Sequence, residues 1–405
     1  MSGPGPARPG GVVLDPFDPA HRADPYPVYH ALRERAPVFR TPRGHWLLTR
    51  HADCAAVLRD PRFGHGTGSV LRGNGFRRPV AGRALPFILL DPPEHTRLRS
   101  LVSKAFTPRA VDRLEPEIAR IADDLIDRFP APGTVDLMAA FAYPLPVAII
   151  SSLLGVPAGD HELVRELSRQ VALGVDPDFT RSPEEERQRA EAFAAFDAYF
   201  SDLLAQRRRR PSDDLLTELA AVREHGSGLT DAELLTTCIL LYVAGHETTT
   251  DLIGNGMLAL LRHPEQLRRW RESPEIAQSA VEELLRFDPP TQMSRRTALA
   301  DVELAGHRIG LGEQVVVMRG AANRDPAVFA DPDRLDLGRR NNRHLAFDGG
   351  IHFCLGAALA RLEGRIALTR LMARARTMEL TAEQLTYRDN LIIRGLVTLP
   401  VNLTL

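Results

Sequence analysis

Apolar residues recur three and four apart through most of this chain, and the recurrence stops where Pro or Gly would end a helix. DPYPVYHALRERAP (24–37) predicts a short helix, and HWLLTR (45–50) a strand running into helical ADCAAVLRD (52–60). From Arg62 to Leu85 the chain is rich in Gly and Arg with no period, too long for an ordinary connection, and is expected to be a functional loop bordering a pocket. Helical pattern then dominates: PEHTRLRSLVSKAF (93–106), PRAVDRLEPEIARIADDLIDRF (108–129) and PLPVAIISSLLGV (144–156). AEAFAAFDAYFSDLLAQRRRR (190–210) carries Phe193, Phe196 and Phe200 at helical spacing, which favours plain core. The longest helix should run from Asp231, capped by Thr230, to the stop at Pro264, and it is apolar nearly all round, as a central helix must be. One more helix is expected before Asp288-Pro289-Pro290, then hairpin strands in DVELAGHRIGLGEQVVVM (301–318) and strand in LIIRGLVTLPVNLTL (391–405). No repeat and no linker divides the apolar centre. The pattern therefore gives a flexible segment over 1–23 and a single domain over 24–405, mainly α with small β-sheets.

Composition narrows the chemistry. A formal net charge of −1 gives no global pull toward nucleic acid or an anionic membrane, and no stretch approaches the ~20 apolar residues of a membrane span. Of 51 basic residues only Lys104 is lysine, so a Walker phosphate loop is excluded and a Schiff-base enzyme has one candidate. Cys54, Cys238 and Cys354 are too few and scattered for a disulfide framework, and MSGPGPARPGG lacks a signal-peptide core, so a cytoplasmic setting is expected.

Two segments concentrate polar groups where the pattern calls for apolar ones. In FDGGIHFCLG (347–356) a Gly-rich turn puts Cys354 just before the amphipathic helix of ALARLEGRIALTRLMARA, where free backbone N–H groups favour thiolate. In AGHETT (244–249) a carboxylate and two hydroxyls interrupt the central helix; a Thr248 hydroxyl bonded to the Ala244 carbonyl would bend it and open space. His246-Glu247 begins the zinc-protease pattern H-E-x-x-H, but position 250 is Thr, and no G-x-S-x-G supports a serine hydrolase.

The cysteine segment resembles the haem-binding loop of the cytochrome P-450 family, F-G-x-G-x-H-x-C-x-G, with Asp348 in place of the first glycine. The resemblance covers roughly Asp24 to the C-terminus and implies the family's fold, with haem b between the central helix and the helix after the cysteine loop. It implies Cys354 as axial ligand, Phe347, Gly350 and Ala244 against the haem, and Glu247 with Thr248 as proton relay to O2. His95, Arg99, Arg296 and His352 match the family's propionate partners, while Arg97 reads as an ordinary surface charge. Glu283, Arg286 and Arg334 match its E-x-x-R brace and the later arginine, with Leu335 where phenylalanine is usual.

By helical spacing Leu240, Val243, Ala244 and Thr248 share one face, which the resemblance turns to the substrate pocket. Further walls are implied at Leu90, at the end of an Ile88-Leu89-Leu90 approach, and at Pro290, Thr291, Gln292 and Ile393. The activity implied is monooxygenation of a largely apolar small molecule, in the manner of bacterial, actinobacterial-type enzymes that tailor macrolide and polyketide-like antibiotics. Electrons would come from NAD(P)H through ferredoxin reductase and ferredoxin, steered by proximal arginines such as Arg109 and Arg361, to a monomer that binds neither nucleic acid nor membrane. A peroxide-using haem-thiolate enzyme and a non-catalytic haem sensor are the alternatives.

Overall fold

The computed structural model describes residues 15–66, 83–130, 132–172, 174, 176, 182–224 and 227–405. Six of its helices position the site: α1 (Glu94–Ser103), α2 (Pro144–Leu154), α3 (Pro183–Arg209), α4 (Asp231–Arg262), α5 (Ala277–Phe287) and α6 (Ala357–Arg374). The start of α4 is fixed by a capping box: Thr230 Oγ1 accepts from the Glu233 N–H and the Glu233 carboxylate accepts from the Thr230 N–H. Its N-terminal half, with Leu234, Cys238, Ile239 and Tyr242, packs into a core shared with α2 and α3. Its C-terminal half, with Leu252, Ile253, Met257 and Leu260, fills a second core with α5 and α6. Each buried Leu or Ile contributes roughly 1.5–3 kcal/mol, so α4 is held at both ends. Its middle is left to carry polar groups.

A five-stranded sheet lies at one side, in the order β1 (Val38–Arg40), β2 (Trp46–Leu48), β6 (Gln314–Val317), β5 (Ser294–Ala298) and β3 (Phe63–Gly64). Strand β6 runs parallel to β2 and antiparallel to β5, opposing Val315 to Arg296. A second sheet joins β7 (Thr377–Leu380), β8 (Pro400–Thr404) and β4 (Gly133–Asp136). The hairpin of Val302–Leu304 with His307–Ile309 turns through Ala305 and Gly306, both at positive φ.

The structure departs from the pattern in four places. The 108–129 segment is two helices, Pro108–Asp112 and Glu115–Ile126, because Pro116 can only sit in a first turn. Pro264–Glu272 is a helix of its own before α5, with Pro264 in its first turn. Of 391–405 only β8 is strand; Ile393 and Leu396 make single bridges to Thr291 and Tyr387. Residues 15–23 are not loose: Phe17 is buried, and the Arg22 and Ala23 carbonyls accept from Arg394. The expected loop over Arg62–Leu85 falls largely outside the described residues, although His65, Gly66, Arg83, Ala84 and Leu85 do border a cavity. Among the described residues no helix is long and apolar enough to cross a membrane.

Candidate active site

The cysteine loop is shaped by one close approach. Gly350 has φ +63°, and a Cβ there would lie 2.3 Å from the Leu58 carbonyl oxygen, so only glycine lets the loop lie against the His51–Arg59 helix. The Cys354 N–H donates to the Phe347 carbonyl (2.9 Å), which closes the turn and leaves the thiol facing a cavity of ≈360 Å³ below α4. Desolvation by the surrounding protein pushes the Cys354 thiol up from its ordinary value, against the Gly356 N–H and the Arg319, Arg99 and Arg361 guanidinia. The Gly356 N–H at the start of α6 thus pulls the thiol in the expected direction, and desolvation outweighs it.

Polar groups from three distant segments ring one edge of this cavity. His95 on α1 is buried, and among the described residues neither of its ring nitrogens has a hydrogen-bond partner; the same holds for both ring nitrogens of His352. The two rings stand 4.5 Å apart, and His65 meets His352 edge-on at 4.6 Å. Desolvation, with Arg296 and His95 next, pushes His352 down to about 3. Arg99 lines the same cavity and donates to the Phe353 carbonyl; Arg296, on β5, donates to Asp348 Oδ1 (3.0 Å) and to the Arg295 carbonyl (2.9 Å). Sequence reasoning missed His65 and Arg319. Arg319 is buried beside the loop and spends its Nη donors on the Ala346 and Met293 carbonyls.

Along α4 the residues that stay open are Leu240, Val243, Ala244, Gly245 and Thr248, while their neighbours are buried, so the face read from helical spacing borders a cavity. A second cavity, ≈350 Å³, is bounded by Leu240, Val243, Ala244, Thr248, Thr291 and Ile393. Pro290 and Thr291 line the first. Two expected walls do not. Leu90 packs into the α2–α3 core while Ile88 and Leu89 face the cavities, because the 3-10 turn Phe87–Leu89 rotates its last neighbour inward. Gln292 is buried behind the wall, its amide bonded to the Pro289 carbonyl and its oxygen against Gly320. Phe193 also differs from its neighbours: Phe196 and Phe200 are core, but Phe193 lines the cavity with Arg83 over its ring at 4.7 Å.

Within α4 the Thr248 hydroxyl donates to the Ala244 carbonyl (2.9 Å) and Thr249 to the Gly245 carbonyl (3.0 Å), and the segment stays helical throughout. Glu247 is almost wholly buried but borders the second cavity; its carboxylate accepts from Arg388 and lies 3.3 Å from His246 Nε2. Desolvation alone would raise this acid, yet His246 and Arg388 hold it down at about 2. Arg388 had no signal in the sequence. His246 is an internal helix residue, its Nδ1 2.7 Å from the Tyr242 carbonyl oxygen and its Nε2 toward Ser168.

Below the cysteine loop Glu283 and Arg286 pair through two bonds of 2.7 and 2.8 Å, with neither side chain exposed. The arginine that completes this brace is Arg339, donating to both Glu283 oxygens (3.1 and 3.0 Å), and not Arg334. Arg334 is exposed and contributes only its carbonyl, because Arg334 follows Asp331, at φ +45°, in the turn that wraps the pair. Arg361 is likewise no free docking charge: it pairs with Glu282 and lies 4.3 Å over the Phe347 ring, whereas Arg109 is exposed.

A mainly helical fold with a lone cysteine beneath a long helix that carries an acid–alcohol pair defines a class before any comparison is made. Residues 74–404 match the family model "Cytochrome P450". Vitamin D(3) 25-hydroxylase of Pseudonocardia autotrophica is 43% identical over 396 residues, 96% of each chain. Cytochrome P450 monooxygenase PikC of Streptomyces venezuelae is 41% identical over 391 residues, 94% of this chain and 91% of that one. The structure of the bacillaene polyketide synthase cytochrome P450 PksS from Bacillus subtilis 168 superposes with a TM-score of 0.87 at 37% identity, covering 96% of this chain and all of that one. The chain belongs to the cytochrome P450 family and is a monooxygenase, an oxidoreductase; the family implies haem and O2. The residues present fit that group: a thiol at the foot of the cavity, unpartnered buried ring nitrogens and arginines at one edge, and apolar walls above.

Proposed function

We propose that this P450 hydroxylates or epoxidises a largely apolar small molecule held against the open face of α4, with Cys354 ligating the haem iron. The carrying observation is that Cys354 and the Leu240–Thr248 face border one cavity. Haem, when bound, would supply O2 activation, and Cys354 would hold its iron through sulfur. His95, Arg99, Arg296 and His352 would hold the propionates; the orphaned nitrogens of the two histidines support that reading. Phe347 and Ala244 line the cavity a flat macrocycle would enter; Gly350, expected there too, instead faces the Leu58 carbonyl and serves the loop's packing on the His51–Arg59 helix.

The protein's own contribution to the chemistry is proton handling. Thr248 holds a hydroxyl at the cavity wall, anchored to the Ala244 carbonyl, and Glu247 stands next to it as an anion between Arg388 and His246. Glu247 exchanges protons with solvent when its carboxylate turns off Arg388, and Thr248 passes them inward. Apolar walls from Leu240, Val243, Leu89 and Ile393 exclude water and select an apolar substrate. Relatives named for vitamin D(3) 25-hydroxylation and polyketide synthesis support a bulky apolar substrate and a role in natural-product biosynthesis. Electrons would arrive from NAD(P)H through a ferredoxin system, for which Arg109 is an available docking charge.

Reduced protein treated with carbon monoxide should give a strongly red-shifted Soret band that Cys354→Ala loses. Haem bound without that band would end thiolate ligation. Turnover with ferredoxin and reductase but not with peroxide alone separates this reading from a peroxide-using enzyme.

A further inference from the structure

Asp348 occupies the loop position where the family pattern has glycine, and it keeps a glycine-like backbone, with φ +66°. Aspartate is one of the few residues that tolerates this region, though at some cost. Its side chain is not idle there. Oδ1 accepts from Arg296 Nη2 at 3.0 Å and from the Gly349 N–H at 2.9 Å, with Arg296 nearly fully buried and Asp348 mostly so. The other Nη of Arg296 is already given to the Arg295 carbonyl. Both residues line the cavity with Cys354, His352 and Arg99.

The charges at this edge can be counted. A haem brings two propionates, and the guanidinia of Arg99, Arg296 and Arg319 border this cavity, the last with Asp348 as its foremost charge partner. Aspartate at position 348 offsets one of those positive charges, and Arg296 is divided between the carboxylate built into the loop and one on the cofactor. In a buried edge that added negative charge acts strongly, because little water screens it. It favours the oxidised, more positive iron over the reduced one, and it weakens the grip on the propionates.

We infer that Asp348 is a tuning residue that holds Arg296 partly away from the haem propionate, setting a lower reduction potential and looser haem retention than a glycine at this position would. The inference rests on the Cys354 haem site proposed above.

The test compares wild type, Asp348→Asn and Asp348→Gly, each loaded with haem. Asparagine keeps the tolerance for positive φ and removes only the charge; glycine removes the charge and the backbone cost together. Midpoint potential is measured by spectroelectrochemical titration, and haem retention by the rate of transfer to apomyoglobin. Both variants should show a positive shift in potential and slower haem loss, by about tenfold for one buried charge. An Asp348→Asn potential equal to or below that of wild type, with haem bound normally, would overturn this inference and leave the haem site standing. A folded wild-type chain that takes up no haem would instead overturn both.

Discussion

Glu283 and Glu247 are both glutamates on inward faces of helices, and both are almost wholly removed from water. Glu283 is wrapped: Arg286 and Arg339 each give two hydrogen bonds, and the Asp336 N–H and Asn342 amide add more. Glu247 has one guanidinium from a loop and the edge of a histidine, and one side open to a cavity. Burial is alike; what differs is whether the partner set is closed. A closed set makes a carboxylate part of the scaffold, whereas an open one leaves a carboxylate that can change partners and so move a proton.

Breaking the closed set should have the larger effect. Glu283→Ala leaves two buried guanidinia uncompensated and should cost about 3–5 kcal/mol, read as a fall in Tm and in haem uptake; an unchanged Tm would dissolve the contrast. Glu247→Gln should leave Tm much closer to wild type while slowing coupled turnover by roughly 10²-fold, the lower range for a positioned acid–base group. Wild-type turnover in that variant would remove Glu247 from the relay.

Arg388→Gln sharpens the comparison further. Without the guanidinium, desolvation raises the Glu247 acid, so the acid limb of the pH–turnover profile should move to higher pH; an unmoved limb would mean that Arg388 does not set this carboxylate. Acid unfolding supplies a companion measurement. Glu247 is depressed from the usual 4.5 to about 2 in the folded chain, so the stability it contributes is full above about pH 4.5 and is lost as pH falls toward 2. Wild type should lose this increment over that window and Glu247→Gln should not. The smallest effect is expected for Arg334→Ala, within about 0.5 kcal/mol as for an ordinary surface site, against a clear loss for Arg339→Ala; equal losses would restore Arg334 to the brace.

These expectations mark where the sequence was legible. Helical spacing found the open face of α4 at Leu240, Val243, Ala244 and Thr248, and the Thr230 cap, because both are set by neighbours within one or two turns. The cysteine loop could be read because its glycines and Cys354 stand in one short run. Arg339, Arg388, His65 and Arg319 gave no signal: each reaches its place through tertiary packing of an irregular segment, and a lone Arg or His in such a segment has no period to betray its partner. Leu90 and Gln292 were misplaced for a related reason. Position along a turn identifies the segment that borders a cavity but not which way each side chain points.

The loop that carries Arg388 also carries Ile393, and it is pinned to α4: Asn255 donates to the Arg394 carbonyl, and Gly395 lies so close to buried Asp251 that a Cβ would sit 1.8 Å from its carboxylate. One short segment thus forms a wall of the second cavity and holds the Glu247 carboxylate. Under the relay proposed above, variants made at Ile393 to admit a new substrate should also change the share of electrons ending in product, as opposed to wasted reduced oxygen.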